Sequence, residues 1–353
     1  MSKMLAEIRQ QPQVLSRTLE SGLKAAFRLR KELAGRTPRL IVLAARGTSD
    51  NAAQFGRYLL EITTGIPVSL AAPSIFTLYG ATVDFKDALV VAVSQSGEST
   101  DTNLVLERAR EQGAWNLGIT NESSSSLARL ASHVWLVRAG REKSIAATKT
   151  YTGQVLMFYL LAYALGAKIS LDELRRLPEW ADAALGAFNQ VAEGVERYRF
   201  MGETSVVGRG LNYANALEFG LKLMETCYVM AERFSSADFL HGPIAAVGEY
   251  SPVFLFAPGG VTWPSTLEML DRLRRRKAEV MVFTDASNRG ALAAGVRTIC
   301  VPAKLNRRGA SPGELYTPIP YILPAQLFAA LLAEEKGLDP DRPRALTKVT
   351  KTL

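Results

Sequence analysis

Where Leu89-Val90-Val91-Ala92-Val93 gives way to Ser94-Gln95-Ser96-Gly97-Glu98-Ser99, an apolar run ends abruptly in hydroxyls, one amide and one glycine. A valine-rich run of this length reads as a buried parallel strand, and Leu104, Val105, Leu106 and Ala109 give the segment behind it the inner face of a helix. The turn between them offers neutral donors at Ser94, Gln95, Ser96 and Ser99. It also offers close backbone approach at Gly97 and the unpaired N–H groups of a helix start. Such a turn suits an anion, most simply a phosphate, although an ordinary helix cap uses the same residue types. A second turn, Arg46-Gly47-Thr48-Ser49, ends an earlier apolar run, Leu40 to Ala45. In a doubly wound sheet neighbouring strands open their carboxyl ends onto one crevice, so Thr48 and Ser49 either join the same ligand or are merely caps. Short hydroxyl and amide side chains in number also fit recognition of a polyol.

The ionisable candidates lie further along. Lys222 and Glu225 stand three residues apart on one helical face, amid Leu217, Phe219, Leu221, Leu223 and Met224. Charges on so apolar a helix are costly unless paired or functional, so the two form a structural ion pair, or Glu225 carries a proton between adjacent sugar carbons. His241, in Phe239-Leu240-His241-Gly242-Pro243, sits in a constrained turn. An imidazole exchanges protons near neutral pH and could serve a sugar ring oxygen, or it could be a satisfied structural histidine. His133, at the start of a strand, reads as structural. The tail from Asp339 contains Pro340 and Pro343, with apolar anchors at Leu346 and Val349, which suggests a segment on a defined path. Lys348 could then reach a site as an amine or a cation; a solvated tail is the plainer reading.

These residues need a scaffold of alternating elements. Strands are expected at Leu40–Ala45, Val68–Ala71, Leu89–Val93, Asn116–Thr120 and Val134–Val137, with helices over 51–63, 100–112 and 126–130 and a helical turn at 75–79. After long helical segments over 148–167 and 171–198, a second series opens. Its strands are Ser205–Gly208, Val253–Ala257, Glu279–Thr284 and Thr298–Val301, and its helices cover 214–230, 265–275 and 324–337. Strands and helices at this spacing mean parallel sheets covered on both faces. The N-terminal 37 residues, with Met4, Ile8, Val14, Leu15 and Leu19 as an apolar stripe, read as one or two helices over the first domain. The halves resemble each other: one constant offset lays Phe55-Gly56 on Phe219-Gly220 and Glu61 on Glu225, and Ala45-Arg46-Gly47 matches Gly208-Arg209-Gly210.

Composition narrows the classes. At 353 residues, 48% hydrophobic and 22% charged, the chain can bury two ordinary cores. Its formal charge of +8 would suit anionic ligands, but the basic residues are scattered except for Arg272 to Lys277, read as a solvated face. No aromatic or recognition-helix pattern accompanies them, so nucleic acid is not an expected partner. The longest apolar run, Val155 to Ala167, is too short to cross a bilayer, and no leader pattern opens the chain, so no membrane association and a cytoplasmic location are expected. Cys227 and Cys300 lie in apolar segments, and no Cys or His spacing suggests a metal site.

Taken together and in order, several short motifs resemble one family. They are Gly47-Thr48-Ser49, Ser94-Gln95-Ser96-Gly97-Glu98-Ser99, Ala146-Ala147-Thr148-Lys149, Gly208-Arg209-Gly210, Ala216 to Glu225, His241-Gly242-Pro243 and Pro343-Arg344 to Thr350. The chain is similar over residues 30–353 to the isomerase part of glucosamine-6-phosphate synthase, which is built from two SIS (sugar isomerase) domains. The resemblance implies an α/β fold of two tandem SIS domains, each a doubly wound, flavodoxin-like parallel sheet flanked by helices. Its expected extents are an N-terminal helical region over 1–37, a first SIS domain over 38–167, a connecting helix over 168–200, a second SIS domain over 201–337 and a tail over 338–353 closing the active site.

The resemblance further implies a phosphate and sugar pocket at Thr48, Ser49, Ser94, Gln95, Ser96 and Ser99, with Ile145, Ala147 and Thr347 alongside. Glu225 would be the acid/base between C1 and C2, with Lys222 nearby, His241 would open the sugar ring, and Lys348 would sit at the substrate carbonyl. No metal or organic cofactor is implied. A homodimer is expected, with His241 reaching the site from the neighbouring subunit. Two departures matter: no glutaminase domain with an N-terminal cysteine nucleophile is expected for this chain, and Ala147 stands where the synthase normally has serine. The stretch Glu142 to Lys149 looks more like the free-standing SIS-type glucosamine-6-phosphate deaminases and related deglycases.

Overall fold

The computed structural model of the chain describes residues 1–302 and 313–348. Two helices, α1 (Lys3–Arg9) and α2 (Gln11–Glu32), precede a sheet of β1 (Leu40–Ala44), β2 (Val68–Leu70), β3 (Ala88–Ser94), β4 (Trp115–Thr120) and β5 (His133–Leu136). Its connections carry α3 (Thr48–Thr64), α4 (Ser74–Thr77), α5 (Thr100–Glu111) and α6 (Ser126–Leu130). Helices α7 (Lys149–Ala164), α8 (Leu171–Leu185) and α9 (Phe188–Val195) come next. The second sheet comprises β6 (Glu203–Gly208), β7 (Met230–Ser235), β8 (Pro252–Phe256), β9 (Glu279–Asp285) and β10 (Arg297–Val301). Between them lie α10 (Tyr213–Cys227), α11 (Ser236–Leu240), α12 (Trp263–Arg275) and α13 (Arg289–Leu292), and α14 (Pro318–Glu335) follows.

Both sheets are wholly parallel, and they share one strand order: β2-β1-β3-β4-β5 in the first and β7-β6-β8-β9-β10 in the second. This is the doubly wound order expected of two copies of one α/β domain. All seven residues of β3 are buried, as a strand covered on both faces requires. On one face of the first sheet Val42, Ala44, Val90 and Ala92 pack with Val105 and Leu106 of α5. The second sheet pairs Val207, Leu255 and Val282 with Met269, Leu270 and Leu273 of α12. In the same sheet's core the Phe219 ring lies 5.2 Å from Phe254, 5.6 Å from Phe283 and 5.8 Å from Phe328. Helices α7 and α14 are the most completely buried and hold corresponding places after the last strand of each sheet. Helix α3 packs on α7 at Gly56, where an added Cβ would fall 2.5 Å from the Phe158 ring. Helix α10 likewise packs on α14.

The chain forms two compact units. One holds Met1–Pro12, Lys143–Thr148 and Arg176–Arg344 and contains the second sheet; the other holds Gln13–Glu142, Lys149–Arg175 and the tail from Ala345 and contains the first. Several expectations need correcting. Helix α1 belongs with the second sheet rather than the first, because the Asp341 carboxylate accepts the N–H groups of Lys3 (2.7 Å) and Met4 (2.9 Å). Strand β7 was not expected: Met230-Ala231-Glu232-Arg233-Phe234-Ser235 carries two charges and no apolar run, and it can do so because it is an edge strand. Helix α14 begins at Pro318, six residues before the expected Pro324, which lies inside the helix. The expected helix over 171–198 is interrupted between α8 and α9. Leu346 is 40% exposed, so it does not anchor the tail, and Val349 lies outside the described residues.

Candidate functional site

In the first-sheet unit the strand order reverses between β1 and β3, and it is at the carboxyl ends of strands at such a reversal that doubly wound sheets take their ligands. Ser94 is the last residue of β3, and its Oγ accepts the Gly97 N–H at 3.1 Å. Ser96 Oγ accepts the Glu98 N–H at 3.3 Å. Gly97 has φ +67°, and a Cβ there would meet Ser125 Oγ at 2.2 Å, so backbone geometry and space both demand glycine. The Glu98 carboxylate, which would repel an anion, is tied to the start of α6 by the Ser126 N–H (2.9 Å) and hydroxyl (2.7 Å).

Neither the β1–α3 turn nor the β3–α5 turn caps its helix with a side chain. Ser99 stands at the start of α5 without capping its backbone; its hydroxyl bonds the Thr102 hydroxyl at 3.0 Å instead. Gly47, at the start of α3, has no side chain to cap with. Two helix starts without side-chain caps thus lie at adjacent strand ends, each a positive dipole end; at α3 the Ser49, Asp50 and Asn51 N–H groups donate to the Arg46 and Gly47 carbonyls. Thr48 and Ser49 form the first turn of α3 rather than the preceding loop. Ser49 Oγ accepts the Gln154 amide at 3.0 Å, and Gln95 sits in the β3–α5 turn with its carbonyl taken by the Asn121 N–H at 3.1 Å. The nearby cation, Arg46, is bound through Nε (3.1 Å) and Nη2 (2.9 Å) to buried Asp101.

The same unit holds the described end of the tail. Lys348 Nζ lies 3.1 Å from Glu142 Oε2, and that carboxylate also accepts the Thr150 N–H (3.2 Å) and hydroxyl (2.7 Å). Thr347 is exposed.

In the second-sheet unit, Lys222 is fully buried on α10 with Nζ 2.6 Å from Glu225 Oε2 and 3.4 Å from Glu218 Oε1. Glu218 is equally buried, whereas the Glu225 side chain keeps 22% of its surface exposed. One ammonium therefore sits between two carboxylates, and of the three groups only Glu225 reaches solvent. Ile145 and Ala147 are partly exposed on the segment 143–148. That segment is held by the Glu7 carboxylate, which accepts the N–H groups of Lys143 and Ser144, and by Gln326, which donates to the Thr148 carbonyl. His241 ends α11 and is exposed, and its imidazole hydrogen bonds to no side chain among the described residues. The beginning of the tail follows a defined path: the Arg344 N–H donates to Tyr228 Oη at 2.9 Å and its guanidinium lies 4.7 Å from that ring's centre.

The corresponding turn of the second sheet, between β8 and α12, holds a carboxylate of its own. Glu314, 8% exposed, accepts the Thr262 N–H at 3.1 Å and the Thr262 hydroxyl at 2.8 Å. Burial raises its carboxyl above the usual range, opposed by these donors and the Val261 N–H.

Three residues with no individual role in the sequence reading thus matter: Glu218, Glu142 and Glu314. The i,i+4 spacing of Glu218 and Lys222 was a usable signal. The partners of Glu142 and Glu314 lie too far along the chain to leave one. Buried Cys227, its thiol pushed up to about 12 mainly by burial and donating to the Ala329 carbonyl, is no nucleophile. Among the described residues no group of His, Cys, Asp and Glu could hold a metal ion, and no helix is long and apolar enough to cross a membrane.

Comparison with known proteins agrees with this architecture. The model of the SIS domain family matches residues 36–164 and 204–306. The chain is 34% identical over 351 residues to glutamine–fructose-6-phosphate aminotransferase (isomerizing) of Pyrococcus horikoshii, covering 98% of this chain and 57% of that protein. It is 33% identical to the protein of the same name from Methanothermobacter thermautotrophicus, covering 98% of this chain and 56% of that one. The chain therefore spans just over half the length of these curated relatives. The solved C-terminal domain of glucosamine-fructose-6-phosphate aminotransferase from Francisella tularensis matches with a TM-score of 0.86 at 26% identity, covering 97% of this chain and 98% of that one. Glucosamine-6-phosphate deaminase from Thermotoga maritima shares the fold with a TM-score of 0.78 at 20% identity, covering 99% of this chain and all of that one.

Proposed function

Since the chain belongs to the SIS domain family, we propose that it is an aminosugar-phosphate isomerase and deaminase, converting glucosamine 6-phosphate and water to fructose 6-phosphate and ammonia. The observation that supports this reading is the pair of helix starts without side-chain caps after β1 and β3, with Thr48, Ser49, Ser94, Gln95, Ser96 and Ser99 in or beside those turns. Neutral hydroxyls and backbone N–H groups suit a dianionic phosphate on a polyol, because they bind the charge without fixing a counter-ion.

The chemistry follows from the ionisable groups. The exposed imidazole of His241 moves the proton that opens the sugar ring. Glu225 takes the proton from C2 and returns it to C1, turning the C2 amine into a ketose imine. Water then adds at C2 and ammonia leaves, giving the ketose. The Lys348 amine steadies the negative charge that develops on the substrate oxygen, while buried Lys222 acts on Glu225 by orienting its carboxylate. Partly exposed Glu225 bonded to buried Lys222 supports this division of labour: the carboxylate is oriented by one partner yet keeps a face toward solvent. No step calls on a metal or an organic cofactor.

The reading includes a homodimer, in which His241, hydrogen-bonded to no described side chain of its own chain, serves the neighbouring copy. The test is ammonia release by purified protein from glucosamine 6-phosphate. The expected result is steady turnover that falls on the order of a thousandfold in Glu225→Gln. Mixing inactive Glu225→Gln and His241→Ala proteins should restore part of the activity. Release only from a phosphorylated fructosamine would make the protein a deglycase. Tight fructose 6-phosphate binding with no turnover of any aminosugar phosphate would make it a sugar-phosphate-binding regulator.

A further inference from the structure

The Glu142 carboxylate is a buried charge with a definite set of partners. Its side chain is fully buried, Thr150 holds it with both backbone N–H and hydroxyl, and the cation facing it at 3.1 Å is Lys348. A buried carboxylate costs several kcal/mol of desolvation unless its oxygens are satisfied and its charge balanced. Thr150, in the first turn of fully buried α7, satisfies the oxygens and fixes their direction. The ammonium then comes from the tail, a segment that would otherwise fray: Leu346 is 40% exposed, and Thr347 is exposed as well.

We infer that Glu142 is the positioning residue for Lys348: through a carboxylate locked by Thr150 it pins the tail amine in one place. The inference rests on the reading of Lys348 as a group acting at the substrate carbonyl. It also says how it acts. Held there, the amine is aimed as a hydrogen-bond donor at a developing oxyanion. Glu142 itself does not touch the substrate; its effect passes through the lysine.

Two measurements on the full-length protein separate this inference from the function proposed above. The first needs no substrate: the rate at which acetic anhydride acetylates Lys348, read by peptide mass spectrometry at neutral pH. In Glu142→Gln the amine loses this charge-assisted hydrogen bond, and its acetylation should quicken roughly tenfold, the size expected for loss of one such bond. Glu142→Asp should lie between the two. Thr150→Val, which keeps the carboxylate but removes its hydroxyl donor, should shift the rate the same way by less and serves if Glu142→Gln does not fold. The second is the kinetic split: kcat for ammonia release falling roughly tenfold or more in Glu142→Gln with KM within about twofold, because the phosphate contacts are untouched. Equal acetylation rates in wild type and Glu142→Gln would overturn the inference whatever the enzyme turns over. Faster acetylation in a protein that releases no ammonia would uphold the ion pair and defeat the functional reading instead.

Discussion

The two sheets share one strand order, yet their crevices are furnished differently. After β3, the turn carries Ser94, Ser96, Gly97 and Ser99, and its one carboxylate, Glu98, is drawn off to Ser126. After β8, the turn is Ala257-Pro258-Gly259-Gly260-Val261-Thr262, and the donors at its helix start are taken by Glu314. A Cβ on Gly260 would lie 2.5 Å from Glu314 Oε2, so that carboxylate fills the space beside the turn. In the second sheet the chain supplies a carboxylate to the turn itself; in the first, Glu98 is drawn off to Ser126 and the chain's other carboxylates there, Asp50 and Asp101, stand within the first turns of α3 and α5. A helix start favours negative charge wherever the fold repeats, and the residues decide whether that charge is a ligand or a side chain.

The contrast can be attacked at three points. The largest effect should come from Ser94→Asp, which gives the first crevice its own carboxylate and imitates Glu314. Repulsion of a dianionic phosphate at that place should lower kcat/KM on the order of a hundredfold or more, chiefly through KM, in the ammonia assay.

Gly97→Ala should come next. Its Cβ would overlap Ser125 and demand φ +67° of an alanine, so about 1–3 kcal/mol of stability should be lost in denaturant unfolding, together with phosphosugar affinity. In the corresponding turn of the second sheet the neighbour that a Cβ would meet is Glu314, beside Gly260.

The smallest effect should come from Glu314→Gln, with ammonia release within about twofold of wild type. Because burial raises this carboxyl in the folded state, the stability tied to its proton is present below the ordinary carboxylate range. It is lost as pH rises through the raised value. Urea midpoints should therefore fall more steeply with pH in the wild type than in Glu314→Gln across that acidic window. Parallel pH profiles would show that the carboxylate is not held as described.

Much of this was legible in the chain itself. Valine-rich β3 and the Phe-Gly repeat announced two parallel sheets, because strands covered on both faces have little freedom of composition. Edge strand β7, solvated along one side, was under no such constraint and its Glu232 and Arg233 hid it. The start of α14 was obscured by three prolines: Pro318 and Pro320 occupy a helix start that tolerates them, but Pro324 looked like the first residue rather than an interior one. At the candidate site, the hydroxyl turn and the Lys222–Glu225 pair could be read because each is local. The bond between Glu142 and Lys348 spans 206 residues of sequence, and only the fold brings the two together.

The central claim is that the hydroxyl-lined crevice of the first sheet takes a sugar phosphate while its counterpart, already holding Glu314, does not. Calorimetric titration of the wild-type protein with fructose 6-phosphate tests it most directly. The account predicts one molecule bound per chain, abolished by Ser94→Asp and kept by Glu314→Gln. Two molecules per chain, or binding that survives Ser94→Asp, would contradict it.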